Sequence, residues 1–414
     1  MVWLSKEDGM PSPIESTPEA ILAHRLHAQN LTQRLPHERL IDALRACGIR
    51  NPANNSAAIS LSARVEGFHQ QDLETLLTRS HTALQTVSIR SAIRIFPTDD
   101  FEIFTQALLP STEEELRYYI AGAEPALVTL GLSAMQVLAM VSRAVDEVLQ
   151  KQMLSKDDLG LALALRIEHD LTPAQQEVWR WPSSNTEGQS LGESLARFML
   201  PVVALEGKLW LFSKPGHRGK YYAHFSTLPN FLDGQSPRLD NTNAQTELVK
   251  RYLHCFGPAT LENFAMWAGI SLGQAQRLWT GIWPLIHEVT YQNLSGWMLQ
   301  QDVQQLGNNP IPEGVRFIPP HDPWLHQHDR SLLVKGKQAH RYFWKSAGSP
   351  GMVLFDGEGV AGWHIRMVKN KMLVAIEDIG LPLRRASGSE LEAEVDRLAS
   401  ALGFGSKGYT VNSI

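Results

Sequence analysis

The sequence predicts an α+β chain: three tandem units of helices, each closed by a two-stranded ribbon, and a small β-rich module at the C-terminal end. Three observations carry this. Apolar residues recur at helical spacing in three separate blocks, and each block runs into a stretch that reads as strands. After Gln300 the helical pattern gives way to short apolar runs punctuated by Gly, Pro and Asn.

In the first unit, residues 19–31 carry Ile21, Leu22 and Leu26 at helical spacing, and residues 37–47 carry Leu40, Ile41 and Leu44 before a stop at Gly48. Residues 56–65 form a small-sided third helix and 72–78 a fourth. Residues 86–96 then alternate apolar and polar, the period of a strand, so helices followed by a ribbon describe a winged helix. In the second unit, Thr98-Asp99-Asp100 and the carboxylates at 113–115 mark helix starts, 134–150 is strongly helical, Ser155 caps 159–167, and 190–200 is a further helix. Residues 202–212 read as a hairpin turning at Glu206-Gly207, and 179–188 as a loop. The third unit has a helix at 244–256 closed by Gly257-Pro258, a second ended by Gly269, a third capped by Ser271, and a hairpin around 292–296. That order places a recognition helix at 271–278 with Gln274, Gln276 and Arg277 facing outward. Strands are expected at 315–318, 331–334, 351–355, 359–364 and 371–376, as a small β-barrel or strongly curved sheet, with a terminal helix at 390–402. The resulting division is a flexible arm at 1–17, winged helices at 18–97, 98–240 and 241–310, and the barrel with its helix at 311–414.

Composition bounds the function. The chain has 414 residues, 43% hydrophobic and 20% charged, which excludes a collagenous, disulfide-framework or largely disordered protein. Its two cysteines, Cys47 and Cys255, fit a reducing compartment, and a cytoplasmic location is expected. Both precede a helix end, where a thiol is not activated, so they read as buried structural groups. The N-terminal residues lack the apolar core of a signal peptide, and no stretch reaches the roughly 20 apolar residues of a membrane span. The net charge of -5 argues against nucleic acid as a whole-chain average.

Local charge reads differently. Residues 214–222 join Lys214, His217, Arg218, Lys220, Tyr221 and Tyr222 with two glycines, a loop suited to phosphate and to base stacking. Arg90 and Arg94, four apart in the first ribbon, are expected on one strand face, lining a groove or pairing with acids. Trp210, Trp267, Trp279 and Trp283 read as packing. The run His321, Asp322, His326, His328, Asp329 and Arg330 has no zinc-site spacing; it reads as a linker with Asp329–Arg330 as an ion pair, and no metal is expected. No nucleophile elbow, phosphate loop or dinucleotide fingerprint occurs, and no cofactor is expected.

Five blocks in order carry a resemblance: residues 47–52 with 56–65; the ribbon 88–95; Lys250-Arg251-Tyr252-Leu253 with Phe256-Gly257-Pro258; Phe317-Ile318-Pro319-Pro320 with Asp322, Asp329 and Arg330; and 353–357 with Gly362-Trp363. Together, over roughly residues 19–383, they resemble the AlkZ-like family of winged-helix DNA glycosylases. The resemblance implies three winged helices and a barrel in a C-shaped cleft around duplex DNA, acting on bulky alkylated or crosslinked purines. It also implies a Gln-x-Gln or Gln-x-Asp pair, just after Gly48-Ile49, that holds the attacking water. Arg50 and Pro52 stand at those two positions. Arginine only donates and proline has no side-chain hydrogen-bonding group, so neither replaces a carboxylate or amide. Ser91, Ala92 and Arg94 also depart from the family's Arg-Gly-Thr-Leu-His ribbon.

Three readings follow. The first is a duplex-DNA-binding protein of this fold, tied to repair of alkylated DNA, without the catalytic motif. The second is an active glycosylase using other residues, with Asn51 and Asp322 as candidates. The third is a transcription regulator without catalysis. The DNA-contacting set expected is Arg50, Arg90, Arg94, Lys214, His217, Arg218, Lys220, Tyr221, Gln274 and Arg277; the partner is double-stranded DNA, with no membrane and a monomer favoured.

Overall fold

The computed structural model describes residues 12–52, 55–150, 152–213, 219–228, 240–310, 312–345 and 347–413. Strand β1 (Ile14–Glu15) leads into a helix, Pro18–Ala28, started by Pro18 at its first turn and by the Thr17 hydroxyl accepting from the Ala20 amide. A short helix, Leu40–Arg45, ends ahead of Gly48, whose φ of 63° reverses the chain into β2 (Ile49–Arg50). The helices Ser56–Ser62 and Gln70–Thr78 follow, then β3 (Ala83–Ser88) and β4 (Ala92–Pro97) as an antiparallel ribbon. The sheet order is β2-β4-β3.

The second block holds the helices Glu113–Tyr119, Ala134–Val148, Lys156–Glu168, Pro173–Trp179 and Leu191–Leu205. Thr112, Ser133, Ser155, Thr172 and Ser190 cap them in turn, each accepting from a backbone amide three residues on. Strands β5 (Leu154–Ser155), β6 (Leu209–Phe212) and β7 (Tyr221–His224) form a sheet of order β5-β7-β6. The hairpin expected at 202–212 is therefore corrected: residues 202–205 are the end of a helix, and β6 pairs with β7 instead. Val202 to Leu205 are fully buried, and a continuous apolar run of that kind carries no period to separate strand from helix.

The third block follows its sequence pattern closely. Helices Asn241–Phe256, Leu261–Ala268 and Leu272–Trp279 precede β8 (Ile286–Tyr291) and β9 (Leu294–Leu299), an antiparallel pair turning at Gln292 with φ 52°. β1 adds to this ribbon in parallel, Ile14 against Val289 and Glu15 against Thr290. Residues 14 and 15, expected in a flexible arm, thus occupy a sheet edge.

The C-terminal module is a five-stranded sheet of order β10 (Val315–Ile318), β11 (Gly351–Phe355), β12 (Glu358–Val368), β13 (Lys371–Asp378) and β14 (Gly405–Ser413), the last pair parallel. No closed barrel is found among the described residues, because β10 and β14 do not pair with each other. Helix Gly388–Ala401 packs against both of these edge strands and buries Leu391, Val395 and Leu398. The strand expected at 331–334 is a helical turn, Arg330–Leu333.

Two cores tie the blocks together. One joins Phe96, Phe104, Leu205, Trp210, Tyr252 and Trp267, drawn from all three helical blocks. The other joins Leu44 and Leu61 of the first block to Phe317, Trp363 and Val395 of the C-terminal module. Trp210, Trp267 and Trp279 are core as expected, whereas Trp283 is exposed and meets Trp297 edge-on. Cys47 and Cys255 are both buried and touch across the first and third blocks, and their mutual hydrogen bond together with burial pushes the Cys255 thiol up. No single helix among the described residues is long and apolar enough to cross a membrane.

Candidate nucleic-acid interface

Antiparallel pairing of β2 and β4 sets Arg50 opposite Arg94, which places both side chains on one face of the sheet. Arg90 is not in a strand at all. It sits at the ribbon tip with φ 58°, exposed, and reaches the same space from the turn. The expected shared strand face of Arg90 and Arg94 is thereby replaced by a tip and a floor. Arg94 is the floor: it is 1% exposed and donates to the carbonyls of Cys47 and Gly48, each at 3.2 Å.

A second wall comes from the linker after β10. Asp322 accepts two bonds from Arg64, at 2.9 and 2.8 Å, one from Ser60 at 2.6 Å and one from the Trp324 amide at 2.9 Å. This anchor holds the 3-10 turn Pro323–His326 and turns His321, His326, Gln327 and His328 toward the arginines. Arg330 lies over the Trp344 ring at 4.8 Å and Lys345 over Tyr342 at 4.7 Å. The third wall is helical, with Asn263, Met266 and Trp267. These walls enclose a cavity of about 440 Å³.

The cavity is cationic. Arg50, Arg90, Arg94, Arg330 and Lys345 line it, and no Asp or Glu does so among the described residues. Burial first, then the neighbouring charges of Arg50 and Arg90, pulls the Arg94 guanidinium down to about 10. Burial, followed by Arg94 and Arg50, holds His326 well below the usual imidazole range, and burial with Arg50 lowers His321. In both rings the charged form is disfavoured. Buried donors remain without partners here: Nε of Arg50, Nε and Nη2 of Arg94, and the side-chain amide of Gln327. Groups of this kind cost free energy unless a ligand or water meets them.

The other expected site residues lie elsewhere. Asn51 turns away from the cavity and donates to Gln85 Oε1 at 2.5 Å, where Lys220 Nζ also donates at 3.1 Å. Asp322 has its oxygens committed to Arg64, Ser60 and the Trp324 amide, so it is a structural group. Gln274 is fully buried and donates to the Leu108 carbonyl at 2.9 Å, and Arg277 pairs with Glu115 at 2.9 Å. The expected outward face of helix Leu272–Trp279 is thus partly covered by the second block, with Gln276 still exposed. Tyr221 packs its ring near Phe212. Lys214, His217 and Arg218 lie outside the described residues. Asp329 pairs with Arg25 at 2.5 Å and accepts from Tyr291, so the expected Asp329–Arg330 pair does not form. Sequence reasoning missed Gln327, Lys345 and Trp344; the density of His and Arg at 321–330 was the available signal.

Among the described residues one group of metal-ligand type stands apart: His24, His254 and Asp302. Three of its contacts are internal, His254 Nδ1 lying 3.0 Å from both Asp302 oxygens and His24 Nε2 3.0 Å from the His254 carbonyl, while His24 Nδ1 is buried without a partner. It reads as a hydrogen-bond network joining the first helix to the third block.

The fold is mixed α+β, and the cavity within it is cationic, without a carboxylate among the described residues. Residues 23–401 match the family model AlkZ-like, described as DNA glycosylase AlkZ-like, and the chain belongs to that family. It is similar in fold to the Streptomyces sahachiroi DNA glycosylase AlkZ, with a TM-score of 0.72 and 16% identity over 96% of this chain and 100% of that one. A comparison with curated proteins gave no match.

Proposed function

We propose that this chain binds double-stranded DNA through the cationic cavity and its rim, in a DNA-repair role, and does not cleave the glycosidic bond. The observation that carries the reading is the lining: five cationic side chains and no carboxylate among the described residues. Glycosidic hydrolysis develops positive charge on the sugar, which carboxylates stabilise and arginines oppose. Arg50 occupies the position where the resemblance places a neutral, water-holding Gln, so a fixed positive charge stands there instead. Winged-helix organisation of the three ribbon-closed blocks, and alkylated duplex as the target, belong to this same reading.

A measurement of duplex affinity against salt tests it. Binding that weakens steeply with salt, without abasic sites appearing on alkylated duplex, is the expected result. Salt-insensitive or absent binding would sink it.

A second reading rests on Gln327. Its amide is 3% exposed, lines the cavity and is without partners at both atoms. An amide so placed can orient a water. Abasic product on N7-alkylguanine or N3-alkyladenine duplex, lost in Gln327→Leu, would favour this active-glycosylase reading over the first.

A further inference from the structure

We propose that the cavity is a socket for a phosphorylated nucleotide, the phosphate-bearing end of a DNA strand, rather than for an internal backbone phosphate or a flipped base. This rests on the DNA-binding reading above and specifies what enters.

Three observations point to it. First, the donors lie deep. Arg94 is 1% exposed, yet it lines the cavity with Nε and Nη2 unpartnered, and Arg50 adds an unpartnered Nε beside it. An internal phosphodiester is flanked by sugars on both sides and stays at the surface of the duplex; a terminal phosphate is the projecting group that reaches a recessed guanidinium. Second, the charge suits a dianion. Arg50, Arg90 and Arg94 line one small space; burial first, then the charge of Arg90, lowers Arg50, and burial first, then Arg50 and Arg90, lowers Arg94, so a terminal phosphomonoester, close to doubly charged at neutral pH, offsets this crowding better than a singly charged diester. Asp322, whose charge reaches Arg94, is committed to Arg64, and Asp329 is committed to Arg25 and Tyr291, so neither competes. Third, the size and walls suit a nucleotide. About 440 Å³ exceeds what a phosphate alone fills. Trp267 and Met266 supply apolar surface, and Arg330 stacked on Trp344 supplies a planar cationic face. The same chemistry is offered by a free nucleoside monophosphate, so the sources are separated by experiment.

The test uses the full chain and short duplexes with a frayed end, identical except for a 5′-phosphate, a 3′-phosphate or hydroxyl ends, followed by fluorescence anisotropy at fixed salt. The expected result is at least tenfold tighter binding of one phosphorylated end over the hydroxyl end. Arg94→Met is expected to remove the preference, so that phosphorylated and hydroxyl ends bind that variant equally whatever its overall affinity, and Arg50→Met gives the same readout should the first variant fail to fold. Deoxyadenosine monophosphate and inorganic phosphate are titrated separately, with thermal stability as the readout. Equal binding of all ends, with no stabilisation by the monophosphate, overturns the socket while leaving duplex binding standing. No duplex binding, but stabilisation by the monophosphate that Arg94→Met abolishes, fails the DNA reading and upholds the cavity as a free-nucleotide site. Stabilisation that persists in both variants overturns the assignment.

Discussion

Gly269 and Arg90 meet at the backbone: a Cβ added to Gly269 would lie 2.8 Å from the Arg90 Cα and 3.0 Å from its Cγ. Both residues are in the left-handed region, at φ 75° and 58°. The end of a third-block helix is therefore the support on which the first ribbon's tip rests. Gly269→Ala should cost about 1 kcal/mol in backbone strain and also displace the Arg90 turn, since the obstructing atom is main chain. Lower duplex affinity together with a lower melting temperature is expected. Gly67→Ala is the control, as it has φ 62° with nothing within 4 Å; it should lose stability and keep its affinity.

Asp322 holds the linker wall through Arg64, and both are almost fully buried. Replacing Asp322 with Ala leaves a buried guanidinium without its counter-charge and should cost about 3–5 kcal/mol, read by denaturant unfolding. Arg64→Met combined with Asp322→Leu should regain much of that loss. A stable Asp322→Ala protein would contradict the structural role.

Acid should destabilise the fold before the carboxylates titrate. Burial lowers His24 and His328 to about 4, from an ordinary value of 6.5. Above pH 6.5 both rings are neutral in folded and unfolded chains, and the fold is at full strength. Between pH 6.5 and 4 the unfolded chain takes up protons that the folded one refuses, so stability falls with a slope of up to about 1.4 kcal/mol per pH unit for each ring. Unfolding midpoints across that range check this, and His24→Gln should flatten the slope.

Arg90 is exposed at the cavity rim. Arg90→Ala should weaken duplex binding at low salt and reduce the slope of log affinity against log salt by about 0.9, one phosphate contact. Arg277→Ala, whose guanidinium is engaged by Glu115, should leave that slope unchanged. The reverse ranking would return the interface to helix Leu272–Trp279.

Much of the secondary structure was legible because local chemistry set it. The alternation of residues 86–96 fell within the β3–β4 ribbon, and Ser155 and Ser271 marked real caps. Residues 202–205 misled because a buried apolar run has no surface face to reveal a period, and 331–334 because four residues are too few to separate a strand from a helical turn. The last residues, polar and Gly-rich, gave no sign of β14, whose partner is supplied by β13. In the site, Arg50, Arg90 and Arg94 were visible as charges near a ribbon. The burial of Arg94, the loss of Gln274 to Leu108 and the approach of Gln327 and Lys345 depend on contacts between distant segments. No local pattern encodes those.

The core shared by all three helical blocks also governs how the cavity works. The ribbon and helical walls hang from packing that Tyr252, Trp267 and Phe104 hold in common, and the linker wall is tied to the first block by Asp322 and Arg64, so no single wall swings freely. A ligand entering here meets a preorganised mould and does not fold one around itself. Little ordering entropy is then lost on association, and selectivity falls to fixed shape and charge.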